Sequence, residues 1–250
     1  FTGLASGASV IVSQFYGAKD ERNLQKSLHT AYAFSAILSI VFTILGWALT
    51  PFLLKLIDTP ADTLADSILY LRIYFLGIFG TLIFNIGSAI MRSIGDSRRP
   101  LYYLIVCCFL NIILDLVLVI VFDMGIVGAA IATIISQAVS AILVTNALMK
   151  KYDDCKLYLS KLHIDLLKLR MEFRIGIPSA LQAFMYSITN IIIQAAINGF
   201  GTDTAAAWAS FGKLDALFWT VNGAFGIAIT TFAGQNYGAG KKDRIFKSVR

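Results

Sequence analysis

SQFYGAKDERNLQKS at Ser13–Ser27 returns, altered, as GQNYGAGKKDRIFKS at Gly234–Ser248. Glutamine, tyrosine, glycine, alanine, lysine and serine recur in step at an offset of 221 residues, as from Gly17 to Gly238. A phrase repeated in register at long range is the mark of an internal duplication. What was duplicated depends on what lies between the copies.

Between them the chain is a series of long apolar runs. A helix needs about 20 predominantly apolar residues to cross the hydrocarbon core. Ser27–Leu49, Ile126–Met149 and Ile177–Asn198 meet this with no formal charge, Ile68–Met91 with Arg72 alone, and Leu101–Phe122 with Asp115 alone. Ala205–Asn236 carries Lys213 and Asp215 near its beginning, and Phe1–Tyr16 reads as the back half of another span. The sequence therefore predicts six whole spans and one partial one.

Basic residues alternate between the connections. Gly17–Lys26, Arg92–Pro100, Lys150–Arg174 and Lys241–Arg250 hold 18 of the 21 lysines and arginines, and the intervening connections hold only Lys55. This asymmetry predicts that the basic connections are cytoplasmic. The net charge of +6 is then a topology signal, and nucleic acid is not an expected partner.

Six crossings separate the two copies, so both enter the cytoplasm the same way up. This predicts two parallel six-helix halves related by an axis along the membrane normal. The expected division is a first half over 1–149, lacking its first helix, a cytoplasmic linker over 150–174, and the start of a second half over 175–250. The chain is expected to be an internal piece of an all-α polytopic membrane protein with twelve helices. In the linker, Leu159, Leu162, Leu166, Leu169 and Phe173 fall at three- and four-residue steps, which predicts a helix lying on the inner membrane surface.

Other classes of function find little support. With 57% hydrophobic and 14% charged residues, the chain has too little polar material for a water-facing surface. Cys107, Cys108 and Cys155 lack metal-ligand spacing, and His29 and His163 lie far apart in sequence. No clustered acids, histidines or metal motif suggest an enzyme, and the parallel repeat argues against a seven-helix receptor.

SQFYGAKDERN and GQNYGAGKKDR, each closing the second helix of a half, resemble the multidrug and toxic compound extrusion (MATE) family. RSIGDSRRP at Arg92–Pro100 resembles that family's loop between helices four and five. GAAIAT at Gly128–Thr133 and GIPSALQ at Gly176–Gln182 are similar to stretches in its sixth and seventh helices. The resemblance covers nearly the whole chain, from part of the second helix through the eighth. It implies an antiporter of the cell membrane, here a bacterial one, expelling organic and often cationic compounds against sodium or proton flow. Membrane lipid surrounds such a protein, a monomer is expected, and no cofactor beyond the coupling ion is implied. The alternative is a flippase for lipid-linked oligosaccharides, which shares the wider superfamily's two-half plan.

Coupling to a cation needs an ionisable group within the membrane, where an aspartate at a helix centre costs about 2.5–3.5 kcal/mol. Asp115 is such a group, and Asn111 lies one turn earlier on the same face. Asp115 and Thr133 are each seven residues from the outer ends of consecutive spans, roughly 10 Å deep at 1.5 Å per residue. Their oxygens suit a hard cation, and a carboxylate can also carry a proton. The resemblance places Asn111, Asp115 and Thr133 at the family's first-half cation site, to which its first helix adds another aspartate.

Lys213 and Asp215 are expected either to line the chamber between the halves or to pair structurally. Asn190 is the nearest polar residue to Met185 and Tyr186, where some sodium-coupled relatives carry glutamate. Phe184, Tyr186, Phe218 and Trp219 are expected to face lipid or packing partners. In the repeated phrase, Gly17 and Gly238 are expected to supply left-handed turns that end helices. Tyr16 and Tyr237 would sit at the membrane boundary, and Gln14 and Gln235 would bond between halves. The repeat is read first as a pair of helix caps and second as an inner gate.

Overall fold

A computed structural model describes residues 2–56, 61–152 and 155–249; Phe1, Arg250 and parts of two predicted connections, 57–60 and 153–154, lie outside them. The described residues form nine α-helices: α1 (Thr2–Gly17), α2 (Glu21–Leu56), α3 (Ala61–Leu76), α4 (Ile78–Ser93), α5 (Arg98–Asp115), α6 (Gly125–Lys150), α7 (Leu166–Asn198), α8 (Thr202–Gly238) and α9 (Lys242–Val249). Six helical stretches, with α3 and α4 joined as one, are long and apolar enough to cross a membrane. They correspond to the six whole spans predicted. The fold is that of an all-α polytopic membrane protein.

The chain packs as two compact units, Glu21–Leu169 and Phe1–Asp20 with Arg170–Arg250. In the first, α4 is the central helix, with Ile86, Ile90 and Met91 almost wholly buried. It packs on α2 and α6, and α5 lies on α6. The interior is rich in small and hydroxyl-bearing residues, including Ser35, Ser39, Ser88, Ser136 and Ser140, while Ile44, Phe52, Phe109 and Ile142 face outward. Apolar surface gains little by leaving lipid, so close contact and hydrogen bonding hold such helices together. Methyl groups added at Gly80 or Gly87 would press on the Gln137 backbone or overlap the Val144 side chain of α6. Tyr32 and Thr145 share a hydroxyl–hydroxyl bond that ties α2 to α6.

Three features depart from the sequence reading. The span predicted over Ile68–Met91 is interrupted at Gly77, between α3 and α4. The Thr43 hydroxyl of α2 donates to the Phe75 carbonyl (3.1 Å) beside that break, supplying a partner to backbone near a disrupted ladder. The span over Leu101–Phe122 ends in a π-helical turn, Leu116–Val121. The surface helix expected in the linker is absent as a continuous element: its residues make a short 3-10 turn at Leu159–Lys161 and then enter α7. Asp165 ends the linker because its carboxylate accepts the backbone N–H groups of Leu167 (3.0 Å) and Lys168 (3.2 Å). That side chain satisfies donors left open at a helix start, so the leucine periodicity is divided between a docked strap and a new helix.

In the second unit α1 lies along α8. It also approaches α7 through glycines: Gly3 meets the Gly176 carbonyl and the Ala180 side chain, and Gly7 meets the Glu172 carbonyl.

Candidate functional site

Asp115 is the last α-helical residue of α5, and the π turn begins at the next position. A π turn inserts an additional residue into the helical repeat and is frequent at functional positions. Its wide ladder shows in the bond from the Phe122 N–H to the Val117 carbonyl (3.0 Å). The Leu118 carbonyl then accepts the Met124 N–H (3.0 Å). A Cβ at Gly128 would meet that same peptide at 3.1 Å, so the glycine of GAAIAT lets α6 start flush against the π turn.

Asp115 Oδ1 and Asn111 Nδ2 are buried and have no hydrogen-bond partner among the described residues. The two side chains, one turn apart, therefore do not satisfy each other through these atoms. Burying unsatisfied polar atoms costs about 1–3 kcal/mol each. Thr133 donates its hydroxyl hydrogen to the Ala129 carbonyl (3.0 Å), leaving the oxygen lone pairs as acceptors. Asn111 and Asp115 lie on α5 and Thr133 on α6.

The repeated phrase forms a second arrangement. At the end of α1, Lys19 N–H bonds to the Tyr16 carbonyl (3.1 Å) and Asp20 N–H to the Phe15 carbonyl (3.1 Å). At the end of α8, Gly240 N–H bonds to Tyr237 (3.0 Å) and Lys241 N–H to Asn236 (2.8 Å), the same pattern 221 positions later. Both are Schellman caps, in which the left-handed residue follows the helix. Those left-handed residues are Lys19 (φ 55°) and Gly240 (φ 71°), which corrects the assignment of that role to Gly17 and Gly238.

Gly17 and Gly238 serve close approach. A methyl at Gly17 would overlap the Gln235 carbonyl, and one at Gly238 would overlap the Gln14 carbonyl. The contact is reciprocal under the repeat. One turn earlier, Gly234 faces the hydroxyl of Ser13, its own counterpart. Ser13-x-x-x-Gly17 thus crosses Gly234-x-x-x-Gly238, a small-residue pairing that brings membrane helices together. Gln14 and Gln235 contribute through their carbonyls here. Tyr16 is half-buried and Tyr237 is 60% exposed.

The remaining predicted residues are not gathered into one site. Lys213 and Asn190 are exposed and Asp215 is half-buried. Phe184, Tyr186, Phe218 and Trp219 are all exposed, with Tyr186 and Phe218 each edge-on to Trp219. Cavities of about 550 Å³ beside Phe200 and Trp208 and about 430 Å³ beside Asp66 and Tyr70 contain none of the predicted residues. Sequence reasoning passed over Glu172, which is fully buried with neither carboxylate oxygen bonded among the described residues. A lone acid between Arg170 and Arg174 carries no sequence signal of burial.

A family model described as MatE matches residues 1–117 and 178–250. The chain is similar to the probable multidrug resistance protein YoeA of Bacillus subtilis (strain 168), with 29% identity covering 99% of this chain and 55% of the relative. It is 26% identical to the multidrug export protein MepA of Staphylococcus saprophyticus, over 81% of this chain and 45% of that one. Among solved structures, a MATE crystal structure in the bent conformation superposes with a TM-score of 0.91 at 25% identity, covering 98% of this chain and 55% of that one. An outward-facing multidrug resistance MATE family transporter of the MOP superfamily gives 0.90 at 25% identity, covering 98% and 55%. The chain spans about half the length of the curated relatives it matches.

Proposed function

The chain belongs to the MatE family, and from that membership we propose that the complete protein is an antiporter expelling organic, often cationic, compounds in exchange for sodium or protons. Asp115 is the observation that carries the proposal. A carboxylate oxygen buried in a membrane span without a partner among the described residues is costly to keep, and an exporter gives it a use as a reversible cation site. Asn111 and Thr133 complete the site with neutral oxygens, and the coupling ion supplies the driving force.

Alternating access follows from competition between conformations. Cation binding at Asp115 favours one state and drug binding in the chamber favours the other. Coupling then equals the difference in affinity between the two states. Lys213, Asp215 and Asn190 are assigned to the chamber wall. The Gly17–Gly238 crossing is assigned to the cytoplasmic gate. The basic connections face the cytoplasm, lipid surrounds a monomer, and two six-helix halves make twelve spans.

The test uses the complete protein in cells without their own drug pumps. Retention of a fluorescent organic cation is followed in wild type and in Asp115→Asn, with sodium replaced or the proton gradient collapsed. Wild type is expected to expel the dye, and an equally expressed Asp115→Asn to retain it. The condition that stops wild type identifies the ion. Equal export by both would make Asp115 structural and remove the site. No export by wild type would overturn the reading in favour of a lipid-linked oligosaccharide flippase.

A further inference from the structure

The strap between α6 and α7 folds back beside the end of α6 instead of running out into water. Leu157 N–H donates to the Leu148 carbonyl (3.0 Å). Tyr158 N–H donates to His29 Nε2 (3.1 Å), and Asp165 N–H to the Thr30 hydroxyl (3.0 Å). Leu148 lies in the last turn of the span predicted to end at Met149, and His29 and Thr30 in the first turn of the one predicted from Ser27. At 1.5 Å per residue these anchors sit within roughly 5 Å of the apolar boundary. The strap is therefore held at the depth of lipid headgroups.

At that depth it presents apolar and cationic groups together. Leu159, in the 3-10 turn, and Leu166 and Leu167, where α7 begins, are exposed. Lys156 and Lys161 bring their ammonium groups to 5.9 and 4.8 Å from the centre of the half-buried Tyr158 ring. An aromatic face attracts cations, so one ring gathers both charges. Neither lysine is paired with an acid among the described residues. Asp165 is the only acid over 155–165, and it is occupied, pairing with Lys26 (3.5 Å) and capping α7. Asp153 and Asp154 come before, offset in number by Lys150 and Lys151.

We propose that the strap is a docking surface for anionic phospholipid, with Lys156 and Lys161 on headgroup phosphates and Leu159, Leu166 and Leu167 against the upper acyl chains. Lysine stems are long enough to keep the ammonium among headgroups while apolar neighbours lie deeper, and a tyrosine ring suits the same boundary. Each lysine near an anionic membrane surface strengthens binding about fivefold. A zwitterionic lipid offers the same chains without net charge, so charge decides between the two. The leucine periodicity that suggested a surface helix thus keeps its membrane contact without the helix. That the leaflet is the inner one rests on the orientation proposed above; the headgroup preference does not.

The test places a bimane fluorophore on the exposed strap position 160 through Ser160→Cys. It uses the complete protein in phosphatidylcholine nanodiscs, with Cys107, Cys108, Cys155 and any further cysteine replaced by alanine. Quenching is titrated with phosphatidylglycerol or phosphatidylcholine bearing a nitroxide at the top of one acyl chain. With both lysines present, half-quenching is expected at about a tenfold lower mole fraction of phosphatidylglycerol. Lys156→Gln with Lys161→Gln is expected to be quenched equally by both lipids. Arg98→Gln with Lys241→Gln, which removes the same charge elsewhere on the basic side, is expected to keep the preference. Equal quenching with both lysines present, no quenching by either lipid, or an equal loss in the Arg98 and Lys241 pair overturns the proposal. So does loss of the preference on adding inorganic phosphate but not chloride of the same ionic strength, which would assign the lysines to a free anion. Should the Lys156 and Lys161 pair fail to fold, Lys161→Gln alone decides: the preference is expected to fall about fivefold, and no fall overturns the proposal. None of these readouts measures transport, so lipid docking and the exporter reading fail separately.

Discussion

At Gly17 a single hydrogen in place of a methyl decides how closely two membrane helices approach. Gly17→Ala would drive Cβ into the Gln235 carbonyl, and backbone cannot turn aside as a side chain can. It is expected to cost about 1–3 kcal/mol, seen as a lower Tm of the purified protein in detergent. Lys19 should respond in the opposite sense. It holds a left-handed conformation (φ 55°) that its counterpart Gly240 adopts freely, so Lys19→Gly is expected to stabilise by about 1 kcal/mol. The sequence showed that these positions matter, because it repeats them. It did not show why, because glycine serves left-handed turns and close approach alike, and only the helix crossing separates the two uses. Asp115 was legible for a simpler reason: one acid in an apolar run stands out without coordinates.

Elements meet at the basic end through a few polar ties. The turn between α4 and α5 is joined to the end of α6 by the Tyr152 hydroxyl, which donates to the Asp96 carboxylate. Arg99 also pairs with Asp96 (3.1 Å) and lies 5.0 Å from the centre of the Tyr152 ring. Burial alone would raise the Asp96 pKa, but the Tyr152 bond, the Arg99 backbone N–H and the Arg99 charge outweigh it and hold it below the usual carboxylate value. Burial, with the Asp96 bond, pushes the Tyr152 phenol up to about 12. A depressed carboxylate contributes stability above its ordinary pKa and loses it as pH falls through the folded value. This tie should therefore hold at neutral pH and fail below about pH 4. Tyr152→Phe is expected to cost about 1 kcal/mol at pH 7, and to reduce the loss of Tm seen on acidification. Along α5, deleting Val119 should remove the additional residue of the π turn and restore α-helical register beyond Asp115. The expected result is a folded protein, by size-exclusion profile, whose ion-dependent dye export is lost. The helices themselves were legible from apolar length. The π turn and the Gly77 break were not, since both are local changes of ladder that leave hydropathy unaltered.

Across the molecule, the alternation of basic and non-basic connections makes a prediction independent of transport. Single cysteines at Ser97 and Ser160 should react with an impermeant thiol reagent only in inverted vesicles, and one at Asp123 only in intact cells. The reverse pattern would invert the proposed orientation. Span number and the repeat could be read before any coordinates because the membrane imposes length and charge bias on every helix. How the chain divides by packing could not: α1 joins α7 and α8 in one compact unit, and α2–α6 form the other, because helix contacts here depend on small-residue surfaces that many positions could supply. The meeting of Ser13 with Gly234 carries a consequence for ancestry. If the repeat arose by duplication, these were once one position, and in a symmetric dimer of single halves that residue would have faced its own twin across the axis. No side chain larger than the gap could have been accepted there, since any enlargement would have been doubled at once. Fusion of the two copies would release that constraint and leave one free to keep a hydroxyl while the other kept none.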